Sequence, residues 1–403
     1  MLKRFGILSE KRKVSAKSLP YVIITLLLVG IVLSSIVLMV SYFYKITNEL
    51  ESQDSLIDNA KSIRNFCSSN FGNENIFQST FGELDGMKNV VVRKSKWGLI
   101  DKVHFKTWVK NDTLKETLFL GERRSKNISL YIPNNSKQLK LGGKTIIEGD
   151  AYFPMSTFGE LYIPQKINDI TIKGEINKSS DHLPKVEDFF IEKNVEPIDL
   201  FDFNMEYSNS FFSPTKKISI EKGVLENIKI NGNVIIESQQ KLIIKRSAKL
   251  RDVIIIAPEV LIEGGFTGNI QLLATKSIKL EENVMLEFPS VLYLKGKKEG
   301  EILIEDKSLV LGAVVAVSDQ NKVEVTINKN TKIMGDIFCM GNLMVHGQMY
   351  GEVMANDLCF RTNESEYENA ALDLQIFNLP SFACHLNLFE KKKSTYKVIK
   401  CIK

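Results

Sequence analysis

Few residues in this chain have the type and spacing for chemistry. Four histidines (His104, His182, His346, His385) and five cysteines are the groups able to act as nucleophile, proton carrier or metal ligand. The histidines are not at metal-ligand spacing from one another or from a cysteine. A polysaccharide lyase or hydrolase needs carboxylates converging on one outward face as general acid and base. Many acids of the C-terminal half instead stand singly, as at Glu237, Glu259, Glu263, Glu287, Asp319, Glu324, Asp336 and Glu352. His346 stands among them with outward parity and reads as a surface residue, not the base of an acyl transferase. Phosphate-cradling, nucleophile-elbow and zinc-protease motifs are absent from the sequence. The sequence therefore nominates no catalytic, cofactor-binding or metal-ligating residue. A non-enzymatic protein without a cofactor is expected.

The elements that would position any site begin with a membrane segment. Tyr21 to Tyr44 runs without a charge, and at 1.5 Å per residue such a helix spans about 36 Å, enough for a hydrocarbon core of roughly 30 Å. A secretory signal has a shorter apolar stretch of about 7–15 residues and a small-residue cleavage site. Residues 1–20 hold Lys3, Arg4, Lys11, Arg12, Lys13 and Lys17 against Glu10 alone. The positive-inside rule then keeps the N-terminus cytoplasmic and places the rest outside, as an uncleaved single-pass anchor. Those six charges account for the whole net charge of +5. With no global positive field left, a nucleic-acid partner is not expected. Residues 185–206 are acidic and residues 391–403 are lysine-rich, and both read as solvated surface.

Beyond the bilayer, Ile46, Leu50, Ile57, Ala60, Ile63 and Cys67 recur at helical spacing. This predicts an amphipathic helix that packs on its own domain, or else a face for self-assembly. Residues 89–120 alternate as strands around a turn at Lys110–Thr113, with Trp97 and Trp108 read as core.

From 228 to 288 the pattern is the most informative in the chain. Of 31 even positions, 21 are Ile, Val, Leu, Phe or Ala, while only eight of the 30 odd ones are apolar. A period of two held this long excludes helix and implies strand after strand with one face inward. Pairs such as Leu242/Ile244, Ala248/Leu250, Ile254/Ile256 and Val260/Ile262 begin six residues apart, with Arg246, Asp252 and Pro258 between them. Two inward residues, a corner and a repeat of six describe one side of a three-sided parallel β-helix with about 18 residues per coil. The fold class is thus all-β, a solenoid preceded by a single transmembrane helix. Ile244, Leu250, Ile256, Ile262, Leu272, Ile278 and Leu286 should be buried. Lys245, Lys249, Glu259, Glu263 and Lys279 should face solvent.

The expected order is a basic cytoplasmic tail (1–20), a transmembrane helix (21–44), a membrane-proximal amphipathic helix (45–70) and a small antiparallel β unit (71–140). First β-helix coils (141–179), an acidic aromatic insertion (180–215), the main β-helix (216–360) and a C-terminal cap and hairpin (361–403) follow. An odd cysteine count leaves at least one thiol unpaired within the chain. Cys339 has inward parity and should be a reduced core residue. If residues 390–395 form a hairpin loop, Cys384 lies opposite Cys401 at disulfide distance; otherwise both are free thiols in a loose tail.

Gly143 to Asp150 and Lys332 to Ile337, with glycine-spaced hydrophobics after them, resemble the coils of bactofilins, polymer-forming bacterial β-helix proteins. The resemblance implies a right-handed coil and a structural role. The long N-terminal helix is similar in layout to type IV pilins and pseudopilins, although Lys17-Ser18-Leu19-Pro20 stands where that family has its processing glycine. Three functions compete. The first is a structural, adhesive or pilus-like component of a bacterial envelope, with other envelope proteins or copies of itself as partners. The second is a polysaccharide-binding or polysaccharide-cleaving β-helix, with a glycan as partner. The third is a partner-recruiting subunit of a secretion or pilus machine.

Overall fold

The computed structural model describes residues 18–72, 89–124, 128–164, 166–198, 206–297, 299–320, 322–362, 365–389 and 395–402. The basic tail up to residue 17, residues 73–88, Asp199 and Asp202 of the acidic segment, and residues 390–394 of the expected hairpin loop lie outside them.

Helix α1 (Ser18–Asn70) is unbroken. Its first half is exposed all round, long and apolar enough to cross a membrane. Its second half is one-sided, with Ser52, Leu56, Ala60, Ile63 and Cys67 buried. Leu50 and Ile57 stay exposed, so the expected stripe is corrected. The spacing that links Leu50 to Ile57 runs along the flank of the face that seats.

That face lies on an antiparallel sheet of β1 (Val90–Trp97), β2 (Ile100–Val109), β3 (Asp112–Arg123) and the C-terminal strand Thr395–Ile402, in that order. Ala60, Ile63, Cys67 and Phe71 pack with Val103, Phe105, Leu118, Leu120 and Tyr396. The antiparallel unit expected over 71–140 is therefore smaller at its C-terminal boundary and takes its fourth strand from the other end of the chain. Residues 382–389 and 395–402 do not form the expected hairpin. Glu122 of β3 exchanges backbone hydrogen bonds with His385 on one side and is paired with Tyr396 on the other. With β3 between them, Cys384 and Cys401 are not bridged to each other, and the Cys401 thiol donates to Glu116 at 3.3 Å.

The rest is a β-solenoid of about ten turns. Within Lys249–Ile262, residues 249–251, 254–256 and 260–262 pair in parallel with three successive strands of the preceding turn. Turns differ in length: Leu261 lies beside Lys279, whereas Ile278 lies beside Ile302, a longer step along the chain. The interior is continuous apolar side chain, including Ile244, Leu250, Ile262, Leu272, Ile278, Leu286 and Cys339. Lys249 and Lys279 are exposed and Lys245, Glu259 and Glu263 half-buried, as their parity requires.

Ile256 departs from expectation. It is only half-buried, and Val253, Ile255 and Ala257 point inward in its place. Asp252 adopts φ +58°, which turns the chain at the corner and advances the alternation by one residue. A one-residue slip sends the other set of side chains to the core.

The stacking order is not the chain order. Leu130 pairs with Val353, Lys140 with Ala370 and Ile146 with Gln375. Residues 128–178, which include the expected first coils, therefore close the far end of the solenoid, on top of the turn completed by 366–377. Their apolar faces, Leu130, Leu141, Ile147, Ala151 and Phe153, are buried there. Segment 180–215 is likewise not an insertion between consecutive coils. Its first part returns as a strap along the outside, with Val186 bridged to Phe389 and Phe190 to Gly98. Val195–Ile198 and Glu206–Asn209 then begin the solenoid by pairing with 215–218 and 229–232. The expected cap at 361–403 dissolves into the last turn of the main solenoid and the C-terminal strand of the sheet.

Candidate functional site

Buried polar groups converge where the antiparallel sheet lies on the outer face of the solenoid. One column of the solenoid is apolar on both faces in several turns: Val234-Ile235-Ile236, Val253 to Ile256, Val291 to Leu294, Ala313 to Val317 and Ile337-Phe338-Cys339. A strand buried on both faces needs such a run. Its outward members, among them Ile235, Ile254, Val291, Tyr293, Val315 and Phe338, pack against Trp97, Leu99, Ile100, Phe119, Phe211, Leu388 and Phe389. Trp97 is the centre of this joint, donating its ring N–H to the Asp252 carbonyl at 3.0 Å. Gln271 clamps it by donating to the Trp97 carbonyl at 2.7 Å and accepting from the Leu99 amide at 3.0 Å. Trp108 is not core; it is half-buried beneath Lys106.

At one end of the joint lies a buried ionic cluster. Arg124 follows β3, and its guanidinium donates to Glu122 at 2.8 Å, approaches Asp336 at 3.3 Å and meets Glu352. It also lies over the Phe389 ring, 5.2 Å from the centroid. His385 Nδ1 is 2.6 Å from Asp336. All four charged side chains around Arg124, including its own, are at most 4% exposed, and His385 is 11% exposed.

Burial alone would lower the Arg124 and His385 pKa values and raise that of Asp336. The opposite charges outweigh it: Asp336 and Glu352 raise Arg124, Asp336 raises His385, and Arg124 with His385 holds Asp336 below the usual carboxylate range. Such an arrangement is an ionic lock. Its carboxylates are held by Arg124, and the crevice reaching it is lined by Glu352, Met354 and Phe389 but not by His385.

Sequence reasoning treated Asp336 and Glu352 as isolated acids. The signal that joins them is the pair of dipeptides Gly335-Asp336 and Gly351-Glu352. Ile337 pairs with Val353, and each acid immediately precedes its member of that pair, so the two acids stack on adjacent turns. A Cβ on Gly335 would come within 1.7 Å of the Gly312 carbonyl, and one on Gly351 within 2.1 Å of the Gly335 carbonyl. Glycine lets the turns close there. His385 and Arg124 carried no sequence signal linking them to this corner.

A second charged contact seats α1. Arg64 donates to both carboxylate oxygens of the fully buried Glu116, at 2.6 to 2.9 Å. Lys102 is buried between Trp97 and Phe211, its pKa lowered to about 8 by burial.

The other histidines stay apart. His104 shares a hydrogen bond with Thr117 at 2.8 Å and is pushed down to about 4 by burial. His346 is half-buried beside Phe360, not fully on the surface, and its pKa too is lowered by burial. His182 lines a groove of about 960 Å³ between the strap and the solenoid, with Asn134, Lys297, Asp319, Asn342 and Asn356. Cys339 is fully buried, its thiol pushed up to about 12. Among the described residues, no cluster of three or more His, Cys, Asp or Glu could hold a metal ion. No protein-family model, curated protein or solved structure matches this chain.

Proposed function

We propose that this chain is a membrane-anchored structural protein of a bacterial envelope, non-enzymatic, with its solenoid on the extracytoplasmic side. The observation that carries the reading is the continuity of α1 from its apolar half to its seat on the sheet. A helix that leaves the bilayer and is at once clamped by Leu56, Ala60, Ile63, Cys67 and the Arg64–Glu116 pair holds its load close and oriented. The sheet in turn is fixed to the solenoid by the Trp97 joint and the Arg124 lock. The buried charges around Arg124 and Glu116 serve these joints. The positive charges before Tyr21 support a cytoplasmic N-terminus.

Protease added to intact spheroplasts tests this. We expect everything after about residue 45 to be digested or released, leaving a small membrane-bound stub. Full protection means the reverse orientation, and a solenoid found free of the membrane fraction means that the apolar helix is a cleaved signal.

The strap groove favours a second reading, glycan binding, because its amide, hydroxyl and charged side chains are of the kind that bind sugar hydroxyls. Co-sedimentation with purified cell-wall polysaccharide, lost in Asn342→Ala with Asn356→Ala, would support it; no co-sedimentation would dismiss it.

A further inference from the structure

Among the described residues, nothing covers the strands on which the solenoid ends. Asp169–Lys173 pairs with 144–148 on one edge, and among the described residues no strand lies on its other edge. The same holds for Ile176–Lys178, paired with 151–153, and for Phe158–Glu160, paired with 139–141. Around this end Tyr162 is 83% exposed, Ile167 90% and Met155 52%. Ile170 and Ile172 complete the core only on their inner side and remain half-buried. An open edge of this kind invites another strand.

The edge strand reads Asp169-Ile170-Thr171-Ile172-Lys173, a sequence complementary to itself when reversed. Placed antiparallel to a copy of itself about Thr171, it sets each Asp169 opposite a Lys173, each Ile170 opposite an Ile172, and Thr171 opposite Thr171. The hydrogen-bonding phase agrees. The Asp169 amide donates to the Gly143 carbonyl, and the Lys173 carbonyl accepts from Gly149. Alternation then leaves the Ile170 and Ile172 amides at the open edge, and makes Thr171 a non-hydrogen-bonded pair with Cα atoms about 4.5 Å apart. The opposite end of the solenoid is less open to pairing. Its first strand, Val195–Ile198, contains Pro197, which has no amide to offer.

We propose that a second copy of this chain docks on this edge, joining two solenoids end to end about a two-fold axis through Thr171. The contact is isologous and closes at two copies. This names the partner left open by the structural role and rests on that role for its purpose. Protease accessibility tests the role separately, so either can fail alone.

The test uses the full chain in detergent, in a Cys401→Ser background. Light scattering of the parent should give a dimer, and oxidation of Thr171→Cys should give a covalent dimer on non-reducing gels. Asp169→Lys and Lys173→Asp each set like charges opposite one another twice, weakening dimerisation by about tenfold. The double exchange Asp169→Lys with Lys173→Asp should restore it. Circular dichroism of each variant separates lost pairing from lost folding. A monomeric parent, a Thr171→Cys chain that does not cross-link, or a folded double exchange no better than the singles would each overturn the proposal.

Discussion

Individual residues carry the joint between sheet and solenoid. Replacing Arg124 with Met leaves Glu122, Asp336 and Glu352 buried without their cation. Uncompensated buried charge costs about 3–5 kcal/mol, so a large fall in melting temperature is expected at neutral pH. A melting temperature within a degree or two of the parent would mean that water reaches the cluster. The His385 pKa is raised above its ordinary 6.5. Its contribution is therefore complete below about pH 6.5 and is lost as pH rises through the raised value. Asp336 is depressed below 3.8, so its contribution is complete above about pH 4 and is lost on acidification through the depressed value. Denaturant titrations should show stability declining above pH 6.5 in the parent, with that part of the slope missing in His385→Asn. An unchanged slope would place the titrating group elsewhere. None of these roles was legible in the sequence, because 124, 336, 352 and 385 meet only through stacking. Only Gly335-Asp336 and Gly351-Glu352 hinted at it.

At the scale of elements, close approach between turns depends on particular glycines. Gly335 sits at φ +141° with the Gly312 carbonyl where a Cβ would go. Gly335→Ala should cost about 3 kcal/mol or more, since backbone must move and an unfavourable φ is imposed. Gly265, at φ +81° with open space around it, should cost only about 1 kcal/mol as alanine. Chemical denaturation of both variants compares them, and equal costs would refute the stacking argument. Strand alternation was readable in the sequence because one side of each strand must face the interior. It failed at Ile254 and Ile256 for two reasons. Asp252 shifts the phase, and the covering sheet makes the outer face apolar as well, so parity lost its contrast where the joint lies. The helix was legible in its apolar half, where the uncharged run is long enough to cross a membrane, and less so at Leu50 and Ile57.

The whole molecule is closed by exchange between its ends. The C-terminal strand completes the sheet that seats α1, and residues 128–178 cap the end reached by 366–377. Sequence order suggested coils 141–179 leading into the main solenoid, because local pattern says that a coil needs a neighbour without saying which one. Deleting residues 395–403 should expose Tyr396's partners Ala60 and Ile63 and loosen α1, read as faster amide exchange in Leu56–Cys67; unchanged exchange would show that the helix seats without that strand. Stacking order is the claim on which the rest depends. A ladder of paired strands runs from Lys229 through Lys249, Thr267, Met285, Leu309, Lys332, Gln348 and Gln375 to the strand Lys144–Glu148. Eight strand spacings of about 4.8 Å separate its ends by roughly 40 Å. Spin labels at Lys229→Cys and Lys144→Cys, diluted with unlabelled chain and measured by double electron–electron resonance, should report about that distance. Coils stacked in chain order would lie at most about four strand spacings apart, and a measured separation under about 20 Å would therefore contradict the account.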